Sequence, residues 1–295
     1  MKEAIVFGGS GFLGSHVADA LTEDGHEVRV YDVVKSPCLK KKQKMIVGDV
    51  LDVKKVREAV KGCDYVYNFA GIAGIEDCWK NPSRCVEVNI LGNTYILEAC
   101  RLNNVKRFIF ASTLYVYSRS GSFYRVSKQS CELMTEAYAE RFGLNYTILR
   151  YGSLYGPRAN ADNWIYHVLK QAIKEKRITR YGDGKELREY IHVLDAARLS
   201  VKILSKEFQN QYVIIAGQQN IEVGQLMTMI KEMLNNEIRL EFRGTAKDTH
   251  YTMTPYNFSP KLAKRILNST YVDLGQGLLE MLNEIHAQEN GKHRR

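Results

Sequence analysis

Residues 3–32 read EAIVFGGSGFLGSHVADALTEDGHEVRVYD, and they determine which fold class the chain adopts. The pattern predicts an apolar strand over Glu3–Phe7, a glycine-rich turn, an amphipathic helix to about Glu23 and a strand over Glu27–Tyr31 that ends at Asp32. A glycine motif between a strand and a helix, with an acidic residue about twenty positions later, is typical of a dinucleotide-binding unit. The stretch therefore predicts a βαβ unit with a ligand at its turn.

The glycines of this turn follow a G-x-x-G-x-x-G spacing rather than G-x-G-x-x-G. Glycine lets the backbone approach a pyrophosphate, whose charge is stabilised at the N-terminus of the following helix. Asp32 would accept hydrogen bonds from the adenosine ribose and repel a 2′-phosphate, which favours NAD over NADP. The predicted cofactor contacts in this unit are Gly8, Gly11, Phe12, Leu13, Gly14 and Asp32.

Strands and helices continue to alternate with short connections as far as Arg150. This alternation predicts a parallel sheet with helices on both faces, a Rossmann-type doubly wound α/β fold. Ligands of such sheets bind at the carboxyl ends of the strands. The later strands are predicted at Met45–Val47, Tyr65–Tyr67, Lys106–Ala111 and Tyr146–Leu149, and the residues just after the first three are Asp49, Val50, Phe69, Ala70, Ser112 and Thr113.

Residues 108–128, FIFASTLYVYSRSGSFYRVSK, run from a buried strand through a short turn into a helix. Tyr124 and Lys128 are four positions apart, so they share one helical face and the ammonium can lie beneath the phenol. A neighbouring cation lowers the pKa of a phenol from its usual value of roughly 10. With the Thr113 hydroxyl opposite, this arrangement predicts a site that moves a proton while a hydride moves elsewhere.

Beyond Arg150 the pattern becomes less regular, and we predict a boundary there. Residues 1–150 would form the dinucleotide-binding domain, and residues 151–295 a smaller, irregular α/β lobe that closes over the ligand edge of the sheet. Residues 151–158, YGSLYGPR, are rich in turn formers and are predicted to continue neither a helix nor a strand. The later predicted elements are helices near Trp164–Glu175, Leu194–Leu204, Val223–Leu234 and Leu274–Glu284, a turn at Tyr181–Gly184, and strands near Leu187–His192, Tyr212–Ile215 and Ile238–Phe242.

The composition is that of an ordinary globular protein of 295 residues, with 45% hydrophobic and 25% charged residues. The apolar run before the first glycines is short, and no later stretch approaches the roughly eighteen apolar residues of a membrane span. We therefore expect a cytoplasmic protein with no membrane segment.

The formal net charge of +9 raises the question of an anionic partner. The densest basic run, LKKKQK at residues 39–44, has no interleaved aromatic residues and so lacks the stacking groups of a nucleic-acid surface. A small molecule that carries a diphosphate fits the charge at least as well. The sequence therefore predicts no nucleic-acid partner.

All six cysteines lie in the first half of the chain and form no C-x-x-C pair. No histidine cluster accompanies them at the spacing of metal ligands, so we expect no metal site. Several fall on apolar positions of predicted helices, where a free thiol packs as a small hydrophobe.

Taken together, the motifs resemble those of the extended short-chain dehydrogenase/reductases, specifically the nucleotide-sugar epimerase/dehydratase group, over nearly the whole chain. The marks of the resemblance are Gly8-x-x-Gly11-x-x-Gly14, Asp32, Asp49-Val50, Val88-Asn89-x-x-Gly92, Ser112-Thr113, Tyr124-x-x-x-Lys128, Leu149-Arg150, Tyr155-Gly156-Pro157-Arg158 and Arg188-Glu189-Tyr190-Ile191-His192-Val193.

The resemblance implies specific roles for these residues. Tyr124, as a phenolate, would take the proton from a sugar hydroxyl, usually at C4, while hydride passes to NAD. Lys128 would lower the Tyr124 pKa and hold the nicotinamide ribose, Thr113 would hydrogen-bond the same sugar oxygen, and Arg188 would clamp the diphosphate. The implied cofactor contacts further include Asp49, Val50, Phe69, Ala70, Ser112, Tyr124, Lys128 and Tyr151, and the implied substrate contacts are Thr113, Ser153, Asn163 and Arg188. Trp164, Tyr181 and Arg243 are expected near the nucleotide.

Three departures from the family pattern narrow the chemistry. The acidic residues that follow the Thr in the 4,6-dehydratases are replaced by Leu114 and Tyr115, so 4,6-dehydration is not expected. The Glu that the decarboxylating relatives carry just after the Ser/Thr is missing too. Ser153 stands where the family usually has Asn. Thr113 and Tyr124 are only eleven residues apart, whereas most relatives have a loop about twice as long, which implies an unusual hexose or a larger sugar such as a heptose.

The expected function is thus NAD-dependent C4 oxidation of a nucleoside-diphosphate sugar, by a 4-epimerase or a 4-dehydrogenase of surface-polysaccharide biosynthesis. Two alternatives stay open, namely a dehydrogenase or reductase of a non-nucleotide alcohol or ketone, and a catalytically silent NAD-binding scaffold. The resemblance also implies a homodimer through the helices at about 82–103 and 124–142. Ile90, Ile96, Leu97, Leu133 and Met134 would supply its apolar faces, although burial in the core explains some of them equally well.

Overall fold

The computed structural model describes residues 2–218 and 220–244. The helix predicted over Leu274–Glu284 lies outside these residues. The described strands are β1 (Glu3–Phe7), β2 (Glu27–Asp32), β3 (Gln43–Val47), β4 (Tyr65–Asn68), β5 (Arg107–Thr113), β6 (Tyr146–Tyr151), β7 (Ser153–Tyr155), β8 (Arg177–Tyr181), β9 (Leu187–His192), β10 (Gln211–Ile215), β11 (Asn220–Glu222) and β12 (Arg239–Arg243).

The α-helices are short to medium in length, and one is markedly longer than the rest. They are α1 (Phe12–Glu23), α2 (Val53–Val60), α3 (Ile75–Lys80), α4 (Pro82–Cys85), α5 (Gly92–Leu102), α6 (Ser122–Phe142), α7 (Trp164–Glu175), α8 (Val193–Lys202) and α9 (Val223–Met233). A π-helical segment, Val86–Leu91, joins α4 to α5, and 3₁₀ turns occur at Leu114–Tyr117 and Lys206–Phe208.

Seven strands form one sheet in the order β10-β6-β5-β4-β1-β2-β3, and every neighbouring pair runs parallel. The interior strand β5 is buried along its whole length, as expected when helices cover both faces. One apolar core lies under α2, α5 and α6 and includes Val56, Ile96 and Cys131, and the other lies under α1 and α8 and includes Leu21 and Ala196. The prediction of a Rossmann-type doubly wound fold is therefore confirmed.

The long helix predicted over Pro82–Asn103 is divided in the structure. A π-helical stretch replaces its middle, and the separate short helix α3 precedes it. The side chain of Asn89, within the π-helical stretch, reaches out to the main chain of Ile72, accepting from its N–H at 2.7 Å and donating to its carbonyl at 3.1 Å. Such segments are frequent at functional sites, and here one connects the region after β4 to the rest of the domain.

The C-terminal part adds two small sheets, β11-β9-β7 and β12-β8. Strand β7 corrects the prediction that residues 151–158 continue neither helix nor strand, because Ser153 and Tyr155 pair with β9 at Tyr190 and His192. Strand β10 lies in the large sheet, where it pairs with β6. A strand from beyond residue 150 therefore completes the sheet that the first 150 residues begin.

None of the helices in the described part of the chain is both long enough and apolar enough to cross a membrane.

Candidate active site

Predicted site residues lie at the carboxyl ends of six neighbouring strands, because all six run parallel and end at one edge of the sheet. Along this edge, from β6 to β3, they are Tyr151, Thr113, Phe69, Gly8, Asp32 and Asp49. The predicted proton-transfer residues therefore belong to one end of the edge and the adenosine contacts to the other, with the glycine turn between them.

The turn after β1 packs so closely that no side chain fits at Gly8 or at Gly14. Gly8 has φ +73°, and a Cβ there would lie 2.6 Å from the amide nitrogen of Ala70. A Cβ on Gly14 would overlap the carbonyl oxygen of Gly8. Helix α1 therefore begins directly against the turn. No acidic residue lies in its first turn and no side chain caps it, so its positive end can receive an anion.

Asp32 is fixed beside this turn. Its Oδ2 accepts from the main-chain N–H of Ser10 at 2.9 Å, and the Ser10 hydroxyl donates to the carbonyl of Val34 at 2.8 Å. A carboxylate retains further lone pairs after one such bond, so Asp32 can also accept from ribose hydroxyls. A glycine cradle, an open helix N-terminus and a carboxylate at the next strand end together fit NAD.

Three further predicted cofactor contacts, Asp49, Val50 and Phe69, have charged, apolar and aromatic neighbours respectively. Asp49 accepts from the N–H of Leu51 at 3.0 Å and lies 3.6 Å from the Arg84 guanidinium. Val50 is buried against Gly92, where a Cβ would lie 2.7 Å from its side chain. Phe69 stacks on Tyr67 with ring centroids 6.2 Å apart.

A cavity of about 620 Å³ opens next to the β5 and β6 ends of the sheet edge. The C-terminal part of the chain supplies one wall, and α3, α6 and the turn after β5 supply the other. Seven of the predicted residues line it together, namely Thr113, Tyr124, Tyr151, Ser153, Asn163, Trp164 and Arg188. Thr113 and Tyr124, which are implied in proton transfer, thus share one cavity with Arg188, which is implied in binding the diphosphate.

Tyr124 and Lys128 share one side of α6 as predicted from their spacing. The Lys128 ammonium lies 5.9 Å from the centroid of the Tyr124 ring and donates to the carbonyl of Ala111 at 2.8 Å. Lys128 is buried, and this burial lowers the pKa of its ammonium. Thr113 accepts from the N–H of Tyr115 at 3.3 Å, so its own hydroxyl proton can be donated to a substrate oxygen.

The short connection between Thr113 and Tyr124 is a compact turn. It is held to α6 by Gln129, which donates to the Val116 carbonyl at 2.8 Å, and by Arg125, which donates to the Ser118 carbonyl at 2.9 Å. The turn places the Tyr115 ring in the cavity wall, edge-to-face with Tyr124 at 6.2 Å. Leu114, by contrast, is fully buried.

Two predicted contacts use their hydroxyls elsewhere. The Ser112 hydroxyl donates to Glu132 at 2.5 Å, and Ser112 is not part of the cavity lining. The Tyr151 hydroxyl contacts Ser200 at 2.6 Å, while its ring lines the cavity. Successive residues of a strand point to opposite faces, so the Ser112 hydroxyl points away from the cavity side that Thr113 takes. The implied cofactor contact of Ser112 stays a prediction.

Arg180 is a cavity residue that the sequence analysis missed. Its guanidinium donates to Glu186 at 2.7 Å and lies 5.5 Å from the Trp164 ring centroid. Tyr181, expected near the nucleotide, is 61% exposed, and Arg243 is paired with Glu241; neither lines the cavity. Strand alternation explains the difference, because Arg180 shares the inward face of β8 with buried Ile178, whereas Tyr181 points outward.

Asn89 and two carboxylates were also missed as parts of this region. The Asn89 amide donates to the Ser127 hydroxyl at 2.9 Å, which ties the segment after β4 to α6 beside Lys128. That segment leads into α3, whose first residues bring Glu76 and Asp77 into the cavity lining. The sequence did point to Asn89, because it belongs to the Val88-Asn89-x-x-Gly92 motif. No sequence pattern pointed to Glu76 or Asp77.

No cluster of three or more histidine, cysteine or acidic side chains within residues 2–218 and 220–244 could hold a metal ion. The six cysteines are all free thiols, and five of them are buried.

The family model described as NAD dependent epimerase/dehydratase family matches residues 4–216. Among curated proteins, an uncharacterized UDP-glucose epimerase, YtcB of Bacillus subtilis, is 27% identical over 81% of this chain and 84% of its own length. A UDP-N-acetyl-alpha-D-glucosaminuronate decarboxylase of Bacillus cytotoxicus is 26% identical over 81% of this chain and 82% of its own. The crystal structure of a UDP-glucuronic acid 4-epimerase from Bacillus cereus, in complex with UDP-glucuronic acid and NAD, superposes with a TM-score of 0.78 at 25% identity and covers 89% of this chain and 95% of that one.

Proposed function

The chain belongs to the NAD-dependent epimerase/dehydratase family, and we propose that it oxidises the C4 hydroxyl of a nucleoside-diphosphate sugar as the first half of a 4-epimerisation. A 4-dehydrogenase that releases the 4-keto sugar shares this half-reaction. The observation that carries the proposal is that Thr113, Tyr124, Arg180 and Arg188 all line one cavity. NAD, when bound, accepts the hydride and can return it.

The residues of the chain supply the proton chemistry and the binding. Tyr124 takes the proton from the sugar hydroxyl, and the Lys128 ammonium beneath its ring stabilises the phenolate. Thr113 donates its hydroxyl proton to the same sugar oxygen and so fixes its position. Arg188 supplies a forked donor for the diphosphate, and the glycine turn with Asp32 holds the dinucleotide.

Dehydration and decarboxylation are disfavoured by the turn that follows Thr113. The positions at which related enzymes carry their additional acids hold Leu114, which is buried, and Tyr115. The hydrocarbon side chain of Leu114 cannot protonate a leaving hydroxyl, and a phenol, whose ordinary pKa is roughly 10, is a far weaker acid than the carboxyl group it replaces. We therefore place the chain with the 4-epimerases and 4-dehydrogenases, and surface-polysaccharide biosynthesis is the proposed setting.

The test is turnover of UDP-glucose, UDP-N-acetylglucosamine and UDP-glucuronate by the NAD-loaded protein. Formation of the C4 epimer with no net NADH supports an epimerase, and accumulation of ketone and NADH supports a 4-dehydrogenase. Tyr124→Phe should lower turnover by about 10²–10⁴-fold, because it removes the proton acceptor. Tyr138→Phe is the matched control, since it removes a phenol on the same helix whose hydroxyl contacts Glu98. Unchanged turnover in Tyr124→Phe would overturn the mechanism.

The alternative of a non-nucleotide alcohol or ketone as substrate predicts an apolar cleft. The cavity instead contains two guanidinium groups, of which Arg180 lies over Trp164. Stabilisation of the NAD-loaded protein by UDP alone, seen as a rise in melting temperature, would support the nucleotide-sugar reading. No response to UDP, together with turnover of a simple ketone, would favour the alternative.

A homodimer through α5, α6 and the π-helical segment is also proposed. Leu91, Val126 and Leu133 are exposed by 42%, 44% and 65% and lie on neighbouring elements, as expected of apolar side chains that a second copy would cover. Two residues expected on this face, Ile96 and Leu97, are instead fully buried in the core. Sedimentation analysis of Leu133→Glu should show a shift towards monomer if this face pairs two copies.

A further inference from the structure

Glu132 is a buried carboxylate that the mechanism above does not use. It lies on α6, one turn beyond Lys128, and is only 5% exposed. Burial of an unpaired carboxylate is costly, so such a group needs charged or hydrogen-bonding partners. Its Oε1 accepts from the Ser112 hydroxyl at 2.5 Å and from the Arg150 Nε at 2.9 Å, and its Oε2 accepts from an Arg150 Nη at 2.7 Å.

These partners connect the helix of the site to the strands of the site. Ser112 and Arg150 lie side by side on β5 and β6, where they are register partners. Glu132 therefore binds both members of a cross-strand pair. One turn earlier on the same helix, Lys128 donates to the carbonyl of Ala111, the residue before Ser112. Two successive residues of β5 are thus held by two side chains of α6, directly before Thr113.

Arg150 also contacts the turn that follows Thr113. The Arg150 guanidinium donates to the Tyr117 hydroxyl and lies 4.5 Å and 4.3 Å from the Tyr117 and Tyr212 ring centroids. Tyr117 belongs to the same turn as Tyr115, which lines the cavity. The position of the cavity wall therefore depends on the guanidinium that Glu132 holds.

Neither Ser112, Glu132 nor Arg150 lines the cavity, so the network acts on the site through other residues. We propose that Glu132 is a positioning residue that sets the separation between Thr113 on β5 and the Tyr124–Lys128 pair on α6. The expected effect of Glu132 on turnover rests on the proposed function. Its effect on the positions of Thr113, Tyr124 and Lys128 rests on the hydrogen bonds alone.

Glu132 also contributes to the charge around Lys128. The titratable groups that face Lys128 are Tyr124, Cys131 and Glu132 on α6, Cys78 on α3 and Cys85 on α4. Burial raises the pKa of the Cys78 and Cys131 thiols to about 12, so these two are neutral near neutral pH. Burial lowers the pKa of Lys128, and the Glu132 carboxylate opposes that effect. Loss of this charge should therefore leave Lys128 less protonated.

The first test compares wild type with Glu132→Gln, which preserves shape and removes charge. We expect kcat to fall by about 10²-fold, the loss that a misplacement of about 1 Å can cause. KM and the Kd for NAD should change little, and the pH dependence of kcat should differ from that of wild type. Glu140→Gln, two turns further along α6 and exposed, is the matched control. Wild-type kcat and pH profile in Glu132→Gln would overturn the proposal.

A second variant covers the case in which Glu132→Gln fails to fold because Arg150 is left without its carboxylate. Glu132→Leu combined with Arg150→Met removes both charges, a replacement that buried ion pairs commonly tolerate. This double variant should fold and bind NAD yet lose kcat as the single variant does. If it retains wild-type kcat, Glu132 does not position the site.

A turnover-independent measurement separates this inference from the proposed function. The phenolate absorbance of Tyr124 is obtained as the difference between each protein and its Tyr124→Phe counterpart during a pH titration. We expect the Tyr124 transition at higher pH in the Glu132→Leu/Arg150→Met double variant than in wild type. This variant changes no net charge, so the shift reports a displacement of Lys128 from Tyr124, and an unchanged transition would contradict the proposal. If no nucleotide sugar is turned over by wild type while the transition still moves, the proposed function fails and the positioning role stands.

Discussion

The α-carbon of Gly14 lies against the carbonyl group of Gly8, so that a Cβ at position 14 would overlap the carbonyl oxygen and lie 3.0 Å from the carbonyl carbon. Both atoms belong to main chain and cannot rotate away. The first turn of α1 therefore fits the glycine turn only when residue 14 has no side chain.

Gly14→Ala should consequently destabilise the NAD-free protein by about 1–3 kcal/mol, the usual cost of overpacking. The measurement is the melting temperature without added cofactor, which separates packing from ligand binding. Gly11→Ala should have a smaller effect, because a Cβ there lies 3.2 Å from the same Gly8 oxygen. Equal melting temperatures for Gly14→Ala and wild type would show that the turn adjusts freely.

Replacement of Asp32 should weaken NAD binding and reduce the preference for NAD over NADP. The Asp32 carboxylate is held by the Ser10 N–H, and hydrogen bonds to charged groups contribute about 1.5–3 kcal/mol, so Asp32→Ala should raise the Kd for NAD by about tenfold or more. Calorimetric titration with each dinucleotide measures both effects. Asp24→Asn, at the far end of α1, controls for loss of one negative charge. An unchanged NAD:NADP ratio would argue against a ribose contact at Asp32.

Lys128→Met should abolish turnover and yet raise the melting temperature at neutral pH. Burial lowers the pKa of Lys128 from its usual 10.5, so its charge destabilises the folded protein at every pH below the folded-state pKa. This destabilisation disappears as the pH rises through the folded-state pKa towards 10.5, because the wild-type lysine then loses its proton. A gain of 1 kcal/mol corresponds to roughly 2–4 °C in a protein of this size.

The pH dependence is the decisive part of that experiment. The difference in melting temperature between Lys128→Met and wild type should be largest near neutrality and should shrink in alkaline buffer. A difference that stays constant with pH would mean that packing, rather than charge, separates the two proteins.

Neutral sugars should be oxidised faster than uronic acids. Glu76 and Asp77 line the cavity on the side of α3, which Asn89 ties to the Tyr124 helix, whereas Arg180 and Arg188 line the opposite wall. A sugar carboxylate bound at Tyr124 would meet negative charge. We expect kcat/KM for UDP-glucose to exceed kcat/KM for UDP-glucuronate. In the double variant Glu76→Gln/Asp77→Asn, the ratio of these two values should be about tenfold lower than in wild type.

Ionic strength provides the check on this charge effect. Both carboxylates are exposed, so salt should screen them and reduce the preference for the neutral sugar. Glu58 is a remote exposed carboxylate on α2. If Glu58→Gln lowered the UDP-glucose to UDP-glucuronate ratio of kcat/KM equally, the effect would come from net charge and not from the cavity wall.

The sheet and the cofactor turn were predictable because each depends on local sequence. Buried parallel strands such as β5 contain continuous apolar runs, and the glycine motif, the following helix and Asp32 are separated by fixed chain distances. The Tyr124–Lys128 relationship followed from helical spacing alone, and the structure places the two side chains together.

The opposite wall of the cavity was not predictable to the same degree. Arg180 becomes a lining residue through the alternation of a short strand, β8, whose pairing partners on β12 lie 62 positions later. The role of Ser112 depends on a carboxylate twenty residues away on α6. Contacts of this kind arise from tertiary packing, and no periodicity within one segment encodes them.

Strand β10 carries a consequence for how the protein can be divided. Because Gln211–Ile215 hydrogen-bonds along the outer side of β6, a chain cut at residue 150 would leave β6 with an unsatisfied row of peptide groups. Such an edge is a template for intermolecular pairing, so the isolated first half should aggregate. The dinucleotide half therefore cannot be exchanged between relatives as an independent module, and any chimera must carry residues 211–215 together with the first 151.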